Sequence, residues 1–478
     1  MKYMSSYLFA AFSLLTGYTA HAQTAVQIDT LRGAQQDGTV SGSTSGDFYG
    51  DHVANDSNWL IVGAPREDVD LNNSGNTSGP GEADAGAIYI YKRTAGGLVF
   101  HQKIEGEGNQ VNSGDRFGAG VTLSGEWLFV GAANDNDFPG VDPIPHPSGP
   151  FFFAGKVYVY LYDAGTDSWN LTQKLTSDVP NSLGSFGART DSSHVELFSF
   201  GNTEDSRIAL IGEIQNGSGL AAKLHVFQEK AGVWSRVQIA TSPSGNVNTS
   251  FADSVTSIGK LALVPESGFD PVSDPAVVHV YRISPNGIVK FDNMLQPIQS
   301  LASPSGNTDI NVCGNLGFGA GLGAGGDTVA IADPCDSSDA PASGVVHVYR
   351  LDDNGNNAPL SLLQTLSNPM PQGAAYFGAS SPHNGKQTIS ASSDVIAVGS
   401  PQNLGVIFPP QDVYLFGRQN DGTFLLTDNI PTPEPAVTFL GSESYGQSVT
   451  LSGDGELYIG QMGLFFEGGG RLFIFELQ

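Results

Sequence analysis

Short apolar runs alternate along this chain with clusters of Gly, Pro, Asn, Asp and Ser. Within the runs, hydrophobic and polar positions follow a period of two, as in Lys156-Val157-Tyr158-Val159-Tyr160. Their β-branched and aromatic content favours strand over helix. No segment carries a sustained helical period with caps. The runs also recur in a set order. An aromatic-Gly pair comes first, then an apolar run ending near Gly-Ala-Pro, then a Gly followed by an aromatic-rich strand. The first copy is Phe48-Tyr49-Gly50, Leu60-Ile61-Val62-Gly63-Ala64-Pro65 and Gly86-Ala87-Ile88-Tyr89-Ile90-Tyr91. The second is Phe117-Gly118, Leu128-Phe129-Val130-Gly131-Ala132-Ala133 and Gly155-Lys156-Val157-Tyr158-Val159-Tyr160.

Seven copies fill the chain. Their leading glycines are Gly50, Gly118, Gly187, Gly319, Gly378 and Gly446, with Ala252 in the fourth copy. Successive spacings are 68, 69, 65, 67, 59 and 68 residues. Each copy reads as four strands; in the second they cover 118–123, 127–131, 156–160 and 169–175. One four-stranded unit cannot bury its own faces, whereas sheets stacked radially bury them and leave short edges. The expected fold is therefore all-β, a seven-bladed propeller of four-stranded blades. The last copy stops after its third strand, Arg471-Leu472-Phe473-Ile474-Phe475. An orphan strand, Val26-Gln27-Ile28-Asp29-Thr30, resembles the fourth strand Val237-Gln238-Ile239-Ala240-Thr241. It is expected to complete the last blade and close the ring.

Residues 1–22 read as a secretory signal peptide. Lys2 supplies positive charge, residues 7–15 an apolar run, and Ala20-His21-Ala22 a cleavage site before Gln23. Residues 23–478 then form one domain. The leader run is too short to span a bilayer, and no later stretch reaches the roughly 18 apolar residues a membrane helix needs. The expected location is secreted, periplasmic or cell-surface, with no integral membrane segment after cleavage. The formal charge of −27 argues against nucleic acid or anionic lipid as a partner.

The Phe-Gly and Gly-Ala-Pro repeats resemble the FG-GAP family, which includes the N-terminal propeller of integrin α subunits and many secreted bacterial proteins. The resemblance spans residues 24–478. It is strong in copies one and two, and good in copy six through Phe377-Gly378, Val398-Gly399-Ser400-Pro401 and Val413-Tyr414-Leu415-Phe416. Copies four and seven depart, with Val264-Pro265-Glu266 and Ile459-Gly460-Gln461. Integrin-like members often carry an Asp-x-Asp-x-Asp-Gly calcium loop between the first two strands. Here that connection is a short turn, such as Asn55-Asp56-Ser57-Asn58 or Ser452-Gly453-Asp454-Gly455, with too few oxygen ligands. The resemblance is thus to the bacterial branch without those loops, and it implies binding or adhesion more than catalysis.

Function often sits in loops on a rigid scaffold, and long irregular loops draw attention first. The longest connections join strands two and three of blades one and two. The first contains Asp68, Asp70, Asn72, Asn73 and Asp84; the second contains Asn134, Asp135, Asp137 and Phe138, then Phe151-Phe152-Phe153. Both should emerge on one face. Their oxygen ligands suit Ca²⁺, and their mixture of acids and aromatics suits an extracellular glycan or protein. A solvated acidic loop is the bland alternative. Asp68, Asp70, Asp135 and Asp137 also supply the carboxylates a polysaccharide-active enzyme would use. A structural envelope or matrix component is a third reading. No catalytic residue stands out.

Three histidines invite a metal reading: His225, His279 and His347. Each occupies the third-strand position held by Tyr89, Tyr158, Tyr414 or Phe473 in other copies, so packing is the expected role. Cys313 and Cys335 precede and follow strands that meet on one face, and export places them in an oxidising compartment, so a disulfide is expected. Asp352-Asp353-Asn354-Gly355 reads as a turn. No Gly-x-Ser-x-Gly, Walker or His-Glu-x-x-His segment is present.

Overall fold

The structure is a computed structural model. It describes residues 24–33, 47–69, 84–107, 114–135, 154–180, 184–189, 192–193, 195–199, 207–214, 220–247, 249–267, 276–289, 295–305, 317–355, 357–371, 373, 375–379, 387–401, 411–433, 444–462 and 470–478. The chain forms a ring of seven antiparallel four-stranded blades, a seven-bladed β-propeller. Blade two shows the pattern: Phe117–Ser124, Trp127–Ala132, Lys156–Asp163 and Ser168–Leu175, paired in that order. In blade four the outer edge is shared by Gly287–Ile288 and Gln299–Ala302, both paired with Val277–Ser284.

The N-terminal strand does close the ring. Ala25–Leu31 pairs antiparallel with Arg471–Leu477, from Ala25 opposite Leu477 to Leu31 opposite Leu472, with a bulge between Gln27 and Asp29. Blade seven therefore takes its fourth strand from the opposite end of the chain. Tyr458, Leu472 and Ile474 of that blade then pack with Tyr49, Leu60, Val62 and Tyr89 of blade one in a single buried cluster. Apolar burial between adjacent sheets is what holds such a ring.

The aromatic-Gly pair is the joint between blades. All but one of its aromatic rings stack edge-on against the third-strand aromatic or imidazole of their own blade: Tyr49 on Tyr89 at 5.2 Å, Phe117 on Tyr158 at 5.2 Å, Phe186 on His225 at 5.1 Å. Phe251, Phe377 and Tyr445 do the same to His279, Tyr414 and Phe473, and Phe318 packs tilted against His347 at 5.8 Å. At four joints its backbone lies against a glycine just before the preceding blade's third strand: Gly86, Gly155, Gly344 and Gly470. A Cβ on Gly155 would sit 2.5 Å from the Phe186 carbonyl oxygen, so glycine is required there.

Two blades depart from the even spacing. In blade three a small hairpin, Ala188–Arg189 against Ser192–Ser193, separates Gly187 from the first strand, Val195–Ser199. In blade six the first strand begins at Ile389, well past Gly378. Strand pairing therefore sets the register of these blades, and the distance from glycine does not.

Candidate functional site

At the blade ends that carry the strand 2–3 connections, an acid recurs beside each polar third-strand ring. Tyr89 donates to Glu67 at 2.9 Å, and Lys103 pairs with the same carboxylate at 2.8 Å. In blade two, Tyr158 donates to Asp135 Oδ2 at 2.6 Å and Lys156 Nζ lies 2.7 Å from Oδ1. Burial, and then the adjacent Asp135, push the Tyr158 hydroxyl's pKa far up, so it remains a proton donor. His225 Nε2 lies 2.7 Å from Glu213, and His279 Nε2 lies 2.9 Å from Glu266. His347 sits 3.7 Å from Asp333 and bonds Thr365 through Nδ1 at 2.9 Å. All three histidines thus take the place of tyrosines in stacking, and His225 and His279 do so in hydrogen bonding to the acid as well.

These clamps locate the candidate loop residues. Asp135 is 1% exposed and lies inside the blade end, held by Lys156 and Tyr158. Its backbone carbonyl also accepts from Gly155 N at 3.1 Å. Asn134, one residue earlier, has an enclosed Oδ1 with no hydrogen bond. In blade one, Asp68 Oδ1 accepts the backbone N–H of Asp84 at 2.9 Å and pins the loop root. Burial raises the Asp84 carboxyl's pKa, against the pull of Arg66 and Arg116. Arg66 lies over the Phe48 ring at 4.1 Å. Asp70, Asn72, Asn73, Asp137 and Phe138 lie outside the described residues. So does Cys313; Cys335 is fully buried beside Ala342 and Tyr376.

Among the described residues, one group of three potential metal ligands converges: Asp178, Glu213 and His225. The Lys223 ammonium already lies among them, 2.6 Å from Asp178 and 3.9 Å from Glu213. Burial lowers the His225 pKa more than Glu213 raises it, leaving a neutral ring. A protein cation thus already occupies the space between the two carboxylates.

A second site lies on the ring axis. The first strands of all seven blades enclose a cavity of about 360 Å³. Pairing with the second strands places Ala54, Thr122, Glu196, Thr256, Gly323, Ser390 and Thr450 at one level of its wall. The adjacent level is apolar, with Val53, Val121, Val195, Val255, Leu322 and Ile389. Glu196 reaches the next blade, where the Ser257 hydroxyl donates to its Oε1. Burial pushes the Glu196 carboxyl up to about 7, opposed by that hydrogen bond. Sequence reasoning missed Glu196. Its signal is a charged residue at a position where the other copies carry Ala, Gly, Ser or Thr, visible once the hairpin after Gly187 is removed from the count.

No protein-family model matches the chain, and no curated protein matches it in sequence. Similar solved structures include Sqt1 from Saccharomyces cerevisiae, at 10% identity and a TM-score of 0.43, covering 92% of this chain and 98% of that one. The β-propeller domain of the Trilobed protease from Pyrococcus furiosus is 9% identical with a TM-score of 0.42, covering 89% and 95%. A protein from Lactobacillus plantarum is 10% identical with a TM-score of 0.40, covering 80% and 85%.

Proposed function

We propose that this chain is an exported, FG-GAP-like propeller that acts as a binding or adhesion module. Its partner is an extracellular glycan or protein, engaged through the strand 2–3 connections of blades one and two. The leader-like residues 1–22 support export, and the repeated aromatic-Gly joints support the kinship. The observation that carries binding over catalysis is the state of the root carboxylates. Asp135 is buried between Lys156 and Tyr158, and Asp68 accepts the Asp84 backbone N–H through Oδ1. An acid/base pair needs carboxylates that reach a substrate and exchange protons with it. These two instead brace the loops that leave the blades. Ca²⁺ belongs to this reading only as a ligand of the loop carboxylates beyond those roots.

The test is purified residues 23–478 on an immobilised glycan and protein panel, with Ca²⁺ or with chelator, and with soluble product followed from polysaccharide substrates. Saturable binding to one class of partner without product is expected. Product release, or no binding across the panel, would overturn the proposal.

A further inference from the structure

The axial cavity has the chemistry of a ligand site separate from the loop face. Its volume falls in the range of about 300–1,000 Å³ typical of small-molecule pockets. Its wall pairs an apolar level with a level of hydroxyls and one carboxyl group. Two polar groups on that wall are buried without hydrogen-bond partners: the Nε2 of His52, which is 2% exposed, and the Oγ1 of Thr450, which is 7% exposed. Buried polar atoms of native proteins are nearly always satisfied, so such atoms mark a place where something else bonds. We propose that the cavity binds a small organic ammonium ligand, with Glu196 as its anionic anchor and the hydroxyl level as a hydrogen-bonding collar.

The charge of the wall selects the ligand class. Among the described lining residues Glu196 is the one acid, and no Lys or Arg is present. An anionic ligand would meet Glu196 and find no fixed cation. Among the described lining residues there is no Phe, Tyr or Trp on which a sugar ring could stack. An ammonium group matches the carboxylate and donates to hydroxyls, while its carbon stem meets the valine level. The formal charge of −27 also draws cations toward the molecule.

The titratable surroundings of Glu196 are few. The strands packed against Val195–Ser199 are Phe117–Ser124, Arg207–Glu213 and Thr256–Ile258. Their titratable side chains are Arg207, held by Glu229, and Glu213, held by His225. Across the cavity stands His52, beside Asp51. A bound cation favours the carboxylate, so binding below pH 7 expels a proton from Glu196. Affinity should rise with pH through that range.

Isothermal titration of the full chain with ethanolamine and with putrescine, at pH 6 and pH 8, tests this. Glucose, acetate and CaCl₂ serve as comparators. Both amines stay protonated at both pH values. They should bind about tenfold more tightly at pH 8, as expected for one carboxyl titrating near pH 7. Glu196→Gln keeps the Ser257 acceptor; it should weaken binding at pH 8 at least tenfold and remove the pH dependence. Thr256→Val, on a different blade, should weaken binding without changing the pH dependence. Equal binding of glucose or acetate, amine binding indifferent to Glu196→Gln, or no amine binding would overturn the proposal. Calcium binding that depends on Glu196 while amines do not bind would replace it with an inorganic cation. None of these outcomes bears on the loop face, which the panel tests separately.

Discussion

Replacing Asp135 with Asn separates a structural anchor from a ligand-binding group. Asp135 is 1% exposed and Lys156 is 4% exposed. Their charges meet at 2.7 Å, and the second carboxylate oxygen accepts from Tyr158 at 2.6 Å. Asp135→Asn leaves an acceptor for Tyr158 but takes away the charge that meets the Lys156 ammonium inside the blade end. Breaking a buried pair by removing one partner costs about 3–5 kcal/mol, mostly the penalty of the charge left behind. At about 2 °C per kcal/mol for a chain of this size, the melting midpoint should fall by about 6–10 °C. Adding Lys156→Met removes the ammonium as well and should recover most of the loss. Urea unfolding of the wild type, both single variants and the double variant closes a mutant cycle. An Asp135→Asn variant within about 1 kcal/mol of wild type would refute the anchor, as would a double variant no better than the single one. A group that served a ligand would show the reverse split, with lost binding at unchanged stability.

Three further outcomes follow from the same geometry. Ala252 holds φ +61° at the position where the other copies place glycine, so Ala252→Gly should raise stability by about 1 kcal/mol in urea. Unchanged or lower stability would show that the left-handed backbone is not strained there. Burial lowers the His225 pKa despite Glu213, so below about pH 6.5 the unfolded chain binds a proton that the folded chain does not. Stability should fall on acidification from pH 6.5 to 5. His225→Tyr, the residue type of blades one and two, should flatten that fall, and an identical slope in the variant would contradict the assignment. Finally, we expect Cys313 and Cys335 to be joined; thiol titration of the unfolded chain should find none before reduction and two after.

The ring was legible because its signals are local and repeated. An aromatic-Gly pair, a six-residue apolar strand and a Gly-aromatic strand carry their own periodicity, and Val26-Gln27-Ile28-Asp29-Thr30 matches an outer strand wherever it stands in the chain. The acids were less legible because their spacing is not constant. Glu67 and Asp135 lie three residues past Ala64 and Ala132, the last residues of their second strands, whereas Glu213, Glu266 and Asp333 are themselves the last residues. In blade six the acid, Asp412, comes from the third strand instead and accepts from Tyr414 at 3.4 Å. One three-dimensional position is thus filled from three places in the sequence. Glu196 was hidden for a similar reason: counting as in blade one, from Gly50 to Ala54, leads from Gly187 to Asp191, five residues short of Glu196, and only pairing with Leu210 puts Glu196 on the channel wall.

The most direct test of the binding account removes the two connections and keeps their roots. Residues 70–83 and 136–153 are each replaced by a short Gly-Ser turn, leaving Asp68, Asp84, Asp135 and Gly155 in place. If the loops bind and the roots brace, the variant should melt within about 2 °C of the parent, since a change of length between fixed ends costs little. It should also lose binding to the partner found on the panel. Binding retained at full strength by the loop-shortened protein would contradict the account.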